Sequence, residues 1–307
     1  MRSRVLVVVN PRATATTARS RDVLIHALRG AAEVEIAQTA NRGHAAALAC
    51  RAMRARVGFV VALGGDGTVN EVVNGLLTDG VHDGVPTLGV VPAGSTNVFA
   101  RALGLPSDPT EAVGALLDAL RADRSRQVSL GRLNDRWFTF TAGIGFDAAL
   151  IAAVERRRRR GERSTHALYA RVGLREFFAS DRRHPKLTIE FADGMVLEKQ
   201  FYALVNNTDP WTYLGRHPMR PTPEASFDTG LALYTRRRMG AVGASVSLAQ
   251  MLRRNPGWEP GATIRYDLPE LIITASEPVP VQVDGDLLGA RDKASFRSVR
   301  RALRVAF

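Results

Sequence analysis

The residues best placed to do chemistry are Gly64-Gly65-Asp66-Gly67-Thr68-Val69-Asn70-Glu71, directly after the apolar run Val57 to Leu63. That run reads as a strand buried on both faces, as in a parallel sheet. Three glycines in four positions turn the backbone. Val69, Val72, Val73 and Leu76 then fall at helical spacing, which predicts a helix starting near Thr68 or Val69. A strand, a glycine turn and a helix N-terminus present backbone N–H groups to an anion, with the helix dipole in support. The chemistry is phosphate binding. The segment is not a P-loop, because nothing reads GxxxxGK[ST] and no lysine lies near it. A carboxylate beside a phosphate is repulsive unless a cation intervenes, so Asp66 points to Mg²⁺, or its water shell, between protein and nucleotide. The structural alternative is a plain strand-to-helix turn with Asp66 as a cap.

The elements that must hold this turn are legible on both sides of it. Arg4 to Val9 is a first buried strand ending at Asn10-Pro11. Ser20 to Leu28 is helical, and Val34 to Gln38 is a second strand. The loop Thr39 to His44 then leads into a helix from about Ala45 to Arg56. Val85 to Val91 is a further strand, ending in Pro92-Ala93-Gly94-Ser95-Thr96-Asn97. A short helix Val98 to Leu103 and a longer one, Pro109 to Arg121 with proline in its first turn, follow. Strands alternating with helices predict a parallel sheet with right-handed crossovers. Four strand ends, at Asn10, Thr39, Gly64 and Gly94, then share one edge, where α/β folds bind ligands. His44 reads as a local hydrogen-bonding residue, not a catalyst.

The pattern changes after about Arg126. Gln127 to Arg132 and Trp137 to Thr141 flank Asn134-Asp135 as a hairpin. Gly143, Gly145 and Ala148 form a G-x-G-x-x-A match to the dinucleotide fingerprint. It is discounted because the preceding strand is half of a hairpin; close packing at a helix entry explains it better. Ala148 to Arg160 and Thr165 to Ala179 are helical, the first ending in the basic run Arg156 to Arg160. Strands are expected at Lys186 to Phe191, Val196 to Asn206, Leu231 to Tyr234, Thr263 to Tyr266, Leu271 to Ala275, Val279 to Val283, Lys293 to Ser298 and Ala302 to Phe307, with a long loop at Asp209 to Pro223. These strands predict an antiparallel, sandwich-like β domain. The fold class is therefore α/β, with an N-terminal parallel-sheet nucleotide-binding domain over 1–126 and a C-terminal β-rich domain over 127–299.

Composition narrows the partners. The 307 residues allow two domains and a sizeable core. No stretch approaches the ~20 apolar residues of a membrane span. The N-terminal MRSRVLVVVNP lacks a small-residue cleavage site, so no signal peptide is expected. Cys50 is the only cysteine, which excludes an internal disulfide and a cysteine-based metal site and fits a cytosolic, reducing compartment. The formal net charge is +12, carried almost wholly by arginine. Such a chain attracts polyanions, whether nucleic acid, anionic lipid or nucleotide. A nucleic-acid binder rests on charge alone, since no zinc site or RNA-recognition signature accompanies it.

Val8-Val9-Asn10-Pro11, GGDGTVNEV from Gly64, PAGSTNVFARALGLP from Pro92, the AGIGFDA segment and Val283-Asp284-Gly285-Asp286 together resemble the diacylglycerol kinase catalytic-domain family, to which bacterial soluble lipid kinases and sphingosine kinases belong. The resemblance runs over essentially the whole chain. It implies ATP bound between an α/β domain and a β-rich domain, with the C-terminal strand (300–307) returning to the first. It implies that Asn10, Thr39, Gly64, Gly65, Asp66, Gly67, Thr68, Asn70, Glu71, Gly94, Ser95, Thr96 and Asn97 contribute to the ATP site, with Mg²⁺ at Asp66. The family's DGE motif, which supplies the proton acceptor, falls on Asp284-Gly285-Asp286. Read alone this is an ordinary β-turn; by resemblance Asp286 takes the proton with Asp284 beside it, and Asp284 is the alternative base. The family's structural Mg²⁺ loop, commonly Asp-Asp-Gly-Leu, reads Asp228-Thr229-Gly230-Leu231 here, so either Asp228 substitutes as the ligand or the metal is absent. Val98 stands where the family often has Asp.

The resemblance implies an ATP-dependent lipid kinase, in lipid metabolism and phospholipid biosynthesis, with diacylglycerol as the leading acceptor and phosphatidic acid as product. A sphingoid base, another lipid, or a soluble NAD-like acceptor is the alternative, since NAD kinases also use GGDGT. A cytoplasmic protein with peripheral contact to anionic membrane is expected, docking in part through Arg156 to Arg160. No nucleic-acid partner is implied, and a homodimer is admitted.

Overall fold

The computed structural model describes residues 4–13, 18–160, 162, 166–179, 184–238, 240–253 and 259–307. The chain forms two compact units, residues 1–129 with 301–307 and residues 130–300. The first unit contains β1 (Arg4–Val9), α1 (Ala18–Ala31), β2 (Glu33–Gln38), α2 (His44–Arg54), β3 (Phe59–Gly64), α3 (Asp66–Leu76), β4 (Thr87–Pro92), α4 (Val98–Ala102) and α5 (Pro109–Arg121). Its strands pair in the order β4-β3-β1-β2, every pair parallel. The continuous apolar runs of β3 and β4 are buried at every position, as strands covered on both faces require. β2, with its alternating glutamates, is the edge. The register aligns Val9 with Leu63, Leu63 with Val91 and Gly64 with Pro92, so Asn10, Gly65 and Ala93 leave the sheet at one edge.

Helix α5 shows how sequence sets a boundary. Asp108 accepts from the N–H groups of Thr110 (2.8 Å) and Glu111 (3.1 Å), and Pro109 occupies the first turn, where no donor is needed. Helices α2 and α3 pack so closely that a Cβ on Gly75 would stand 2.2 Å from the Ala46 carbonyl oxygen. Gly75→Ala is therefore expected to lose about 1–3 kcal/mol of stability, outweighing alanine's helix preference of about 1 kcal/mol. Urea denaturation checks this; a stabilised variant would show that the two backbones are not in contact there.

The second unit receives β5 (Ser125–Leu133), β6 (Arg136–Phe138), β7 (Thr141–Gly145), α6 (Phe146–Arg159), α7 (His166–Ala179), β8 (Leu187–Phe191), β9 (Val196–Gln200), β10 (Tyr202–Asn206), β11 (Thr212–Leu214), β12 (His217–Met219), β13 (Leu231–Arg236), α8 (Ala241–Met251), β14 (Ala262–Leu268), β15 (Glu270–Val283) and β16 (Asp286–Ala306), the first and last of which begin or end in the first unit. Its strands run antiparallel in the order β14-β13-β10-β7-β15-β16, with β8 on β15 and β9 on β8. Leu133, Phe138, Ile144, Ile189, Leu233, Ile273 and Phe296 fill its core. The end of β16 pairs parallel with β4, Val305 opposite Leu88.

Several strands differ from expectation for reasons outside their own sequence. Val196 to Asn206 is two strands: Lys199 adopts φ 57°, and the Phe201 N–H turns to the Arg236 carbonyl (2.7 Å), so β9 and β10 take different partners. The segments 271–275 and 279–283 are one strand, β15, with a bulge between Thr274 and Val279. Likewise 293–298 and 302–307 belong to β16, which starts at Asp286. Thr141–Gly145 is a strand of its own, and the loop 209–223 contains the hairpin β11–β12. Helix α8 was not expected at all, because its sequence carries almost no polar side to define a face.

Candidate active site

The two glycine turns at the sheet edge touch backbone to backbone. A Cβ on Gly94 would lie 2.7 Å from the Gly65 Cα, and one on Gly65 would lie 3.1 Å from the Gly94 Cα. Only glycine allows this approach. The turn after β4 is closed by Asn97, which adopts φ 50°. Its Oδ1 accepts from the Gly94 N–H and its Nδ2 donates to the Gly94 carbonyl, both at 2.9 Å. Asp66 then ties one turn to the other. Its Oδ2 accepts from the Val98 N–H (3.0 Å) and its Oδ1 from the Phe99 N–H (3.1 Å). Asp66 is thus a cap, but on α4 and not on its own helix, whose N-cap is Gly65 with no side-chain bond. Helix α3 begins at Asp66, two residues before the predicted start.

The remaining predicted residues divide into those at the surface of this cradle and those that support it. Asn10 Nδ2 donates to Thr68 Oγ1 (3.1 Å), and a Cβ on Gly64 would collide with the same threonine. Thr39 is held by its N–H to the Val9 carbonyl (2.9 Å). Gly67 and Ser95 are exposed, and Thr96 is half-buried beside Ser95. Asn70 is fully buried and receives Asn74 Nδ2 on its carbonyl and side-chain oxygens. Glu71 serves the neighbouring helix: its oxygens accept from Gly43 N–H (2.8 Å) and Ala45 N–H (3.1 Å), capping α2, which has no side-chain cap of its own. His44 Nδ1 accepts from the Ala40 N–H (3.0 Å), the local bond its position foretold.

In the second unit, Asp284 and Gly285 are the two central residues of the hairpin joining β15 to β16, with φ 48° and 83° and Val283 paired to Asp286. The Asp284 carboxylate is buried and folds back onto the start of β7. It accepts from Thr139 N–H (2.7 Å), Thr139 Oγ1 (2.8 Å), Phe140 N–H (3.0 Å) and Thr141 N–H (3.1 Å). Burial pushes its pKa up and these four bonds oppose the rise. Protein donors thus surround the Asp284 carboxylate, while Asp286 is half-buried beyond the turn. Gln282, also buried, spans the turn: its Oε1 accepts from Gly285 N–H (2.8 Å) and its Nε2 donates to Asp147 Oδ2 (2.8 Å).

Asp147 and Thr139 were not recognised from sequence. The one signal was the glycine at 143, since a Cβ there would lie 2.0 Å from Asp147 Oδ2. Burial raises the Asp147 pKa from 3.8 to about 6, against the lowering bond from Gln282. The folded form therefore holds its proton more tightly than the unfolded chain, so this group's contribution to stability is largest below about pH 4. It is lost as pH rises toward 6 and is constant above that. Asp147→Asn should remove this slope, a difference of order 3 kcal/mol between wild type and variant across that window. Parallel pH-dependent denaturation curves would contradict it.

The turn at Asp228, the candidate site of a structural Mg²⁺, is held by contacts within the protein. Asp228 is exposed, and among the described residues no group of three or more His, Cys, Asp or Glu side chains gathers there or elsewhere. Thr229 Oγ1 turns back to the Ser226 carbonyl (3.0 Å). The Gly230 N–H goes to Asp267 Oδ1 (2.7 Å), which also receives Arg300 Nη2 (2.8 Å). The basic run is partly neutralised within its own helix pair: Arg156 faces Glu176 (3.8 Å), and Arg157 binds Glu162 (2.9 Å), which Arg171 shares (2.7 Å). The side chains of Arg158 and Arg159 lie outside the described residues.

This arrangement can be set beside known proteins. The diacylglycerol kinase of Staphylococcus haemolyticus is 40% identical over 124 residues, 40% of this chain and 36% of that protein. That of Staphylococcus epidermidis is 35% identical over 147 residues, 47% of this chain and 44% of the relative. The chain thus spans less than half the length of the curated relatives it matches. A putative diacylglycerol kinase from Bacillus anthracis strain Sterne superposes over 100% of this chain and 97% of its own, with TM-score 0.78 at 21% identity, which establishes the shared α/β plus β-rich fold. A family model described as the diacylglycerol kinase catalytic domain matches residues 4–133, the stretch containing both glycine turns.

Proposed function

We propose that the chain is an ATP-dependent lipid kinase that phosphorylates the free hydroxyl of diacylglycerol to give phosphatidic acid. The observation that carries this is the pair of interlocked glycine turns, Gly64–Gly67 at the start of α3 and Gly94–Asn97 before α4, within the region that matches the kinase family model. Backbone N–H groups and the α3 dipole receive the phosphates of MgATP, with Mg²⁺ entering as part of the substrate beside Asp66. Asp66 holds the second turn in register with the first. Asn10, Thr39, Ser95 and Thr96 supply polar contacts at the rim; Asn70, Glu71 and Asn97 hold the cradle's shape.

Asp286 is the base. As the acceptor oxygen bonds to the γ-phosphorus and the bond to the β-phosphate oxygen breaks, Asp286 takes the hydroxyl proton and ADP departs. Asp284 fixes the turn that presents it, and Asp147 acts through Gln282 on the same turn. No helix among the described residues is long and apolar enough to cross a membrane, so the reading includes peripheral contact with the bilayer that holds the acceptor. The test is radiolabelled ATP offered with diacylglycerol vesicles, a sphingoid base and NAD. Label in phosphatidic acid is expected; label only in a phosphorylated sphingoid base or in NADP would replace the acceptor.

A further inference from the structure

Helix α8 exposes an apolar face that the core does not need. Its inner side is settled: Ser247 and Met251 are buried, and Ala244 packs with Tyr202, Met219 and Tyr234. Arg236, itself buried, fixes the helix from below by donating to Ser247 Oγ (2.6 Å) and pairing with the buried Glu259, to which Tyr234 also donates (2.9 Å). The outer side therefore points to solvent by construction. It carries Val242 (78% exposed), Val246, Leu248 and Leu252, four of the large apolar side chains most exposed among the described residues. Soluble surfaces rarely gather such side chains without a partner.

Charge says what that partner is. Exposed Arg237 and Arg238 stand before the helix and exposed Arg253 after it. No Asp or Glu occurs between Asp228 and Glu259 in the sequence. An apolar helix face bracketed by cations and free of acids is the composition of an interfacial helix, which sinks a few ångström into the boundary between headgroups and acyl chains of an anionic bilayer. A second copy of the chain would meet like charge at the same place.

We propose that α8 is the membrane-docking element, lying flat on anionic bilayers with Val242, Val246, Leu248 and Leu252 inserted and Arg237, Arg238 and Arg253 against lipid phosphates. The proposal rests on the lipid-kinase reading for its purpose but not for its test. The full chain is sedimented with phosphatidylcholine vesicles containing phosphatidylglycerol, and Val242→Asp/Leu248→Asp is compared with wild type. Partitioning should fall at least about tenfold, while turnover of a water-soluble short-chain diacylglycerol is retained. As a check independent of that variant's folding, Ser245→Cys in a Cys50→Ser background carries an environment-sensitive dye, which should shift to the blue on adding vesicles. Unchanged partitioning by a folded variant, or a dye that stays in water while wild type sediments, overturns the proposal. So does a dimer in sedimentation velocity that Val242→Asp dissociates without loss of vesicle binding. A wild type that binds vesicles through α8 yet phosphorylates no diacylglycerol supports the docking element and overturns the kinase reading instead.

Discussion

Asp286→Asn lowers kcat by about 10²–10⁴-fold, the usual cost of removing a general base, and leaves ATP affinity nearly unchanged. The expectation rests on the position of Asp286, where the family the chain resembles has its proton acceptor. Asp284 spends its carboxylate on four donors from Thr139, Phe140 and Thr141, and a base so occupied must break those bonds to take a proton. Asp286 stands two residues on, where β16 begins. Asparagine keeps the shape and loses the basicity, so kcat should fall while KM for ATP holds. Asp286→Glu should keep substantial activity, because it restores the residue usual at that place in the family the chain resembles. Asp284→Asn has a different signature. Its amide would face backbone N–H groups, and a buried acceptor lost opposite such donors costs about 1–3 kcal/mol each. Thermal stability should therefore drop along with activity. If Asp286→Asn turns over normally while Asp284→Asn is folded and dead, the base is Asp284.

Asp66→Ala lowers turnover by about a thousandfold. Its carboxylate joins the N–H groups of Val98 and Phe99 to the first turn of α3, and hydrogen bonds to a charged group are worth about 1.5–3 kcal/mol each. Losing two of them frees the Gly94–Asn97 turn to move away from Gly65. The cation that travels with ATP loses a neighbouring carboxylate at the same time. Both effects strike the phosphates, so ATP affinity should weaken together with kcat, unlike the Asp286 variant. Isothermal titration with a non-hydrolysable ATP analogue separates the two. Affinity and rate within a few-fold of wild type would leave Asp66 as a cap and nothing more.

Much of the first unit is legible because its signals are local. The buried runs at 5–9 and 59–64, the cap at Asp108 and the glycine turns at 64–67 and 94 are patterns of neighbours, and the parallel sheet follows from the alternation of strands and helices. What the sequence hid lies between distant residues. Asp66 meets Val98 32 positions away, Glu71 caps a helix from 28 away, and Asp284 finds its donors up to 145 away. No spacing rule encodes such pairs. The same holds for the strand break at Phe201, set by Arg236, and for the turn after Asp228, where the Gly230 N–H goes to Asp267. Helix α8 escaped notice because an apolar face turned outward erases the periodicity that reveals a helix.

The measurement that bears most directly on the kinase reading is the stoichiometry of products. Purified chain, MgATP and diacylglycerol in phosphatidylglycerol vesicles are incubated together, and ADP and phosphatidic acid are quantified from the same reaction, with Asp286→Asn alongside. Equal amounts of ADP and phosphatidic acid in wild type, and neither above background in the variant, are predicted. ADP accompanied by inorganic phosphate without phosphatidic acid, or phosphatidic acid formed equally by the variant, would contradict the assignment of these residues to phosphoryl transfer onto a lipid hydroxyl.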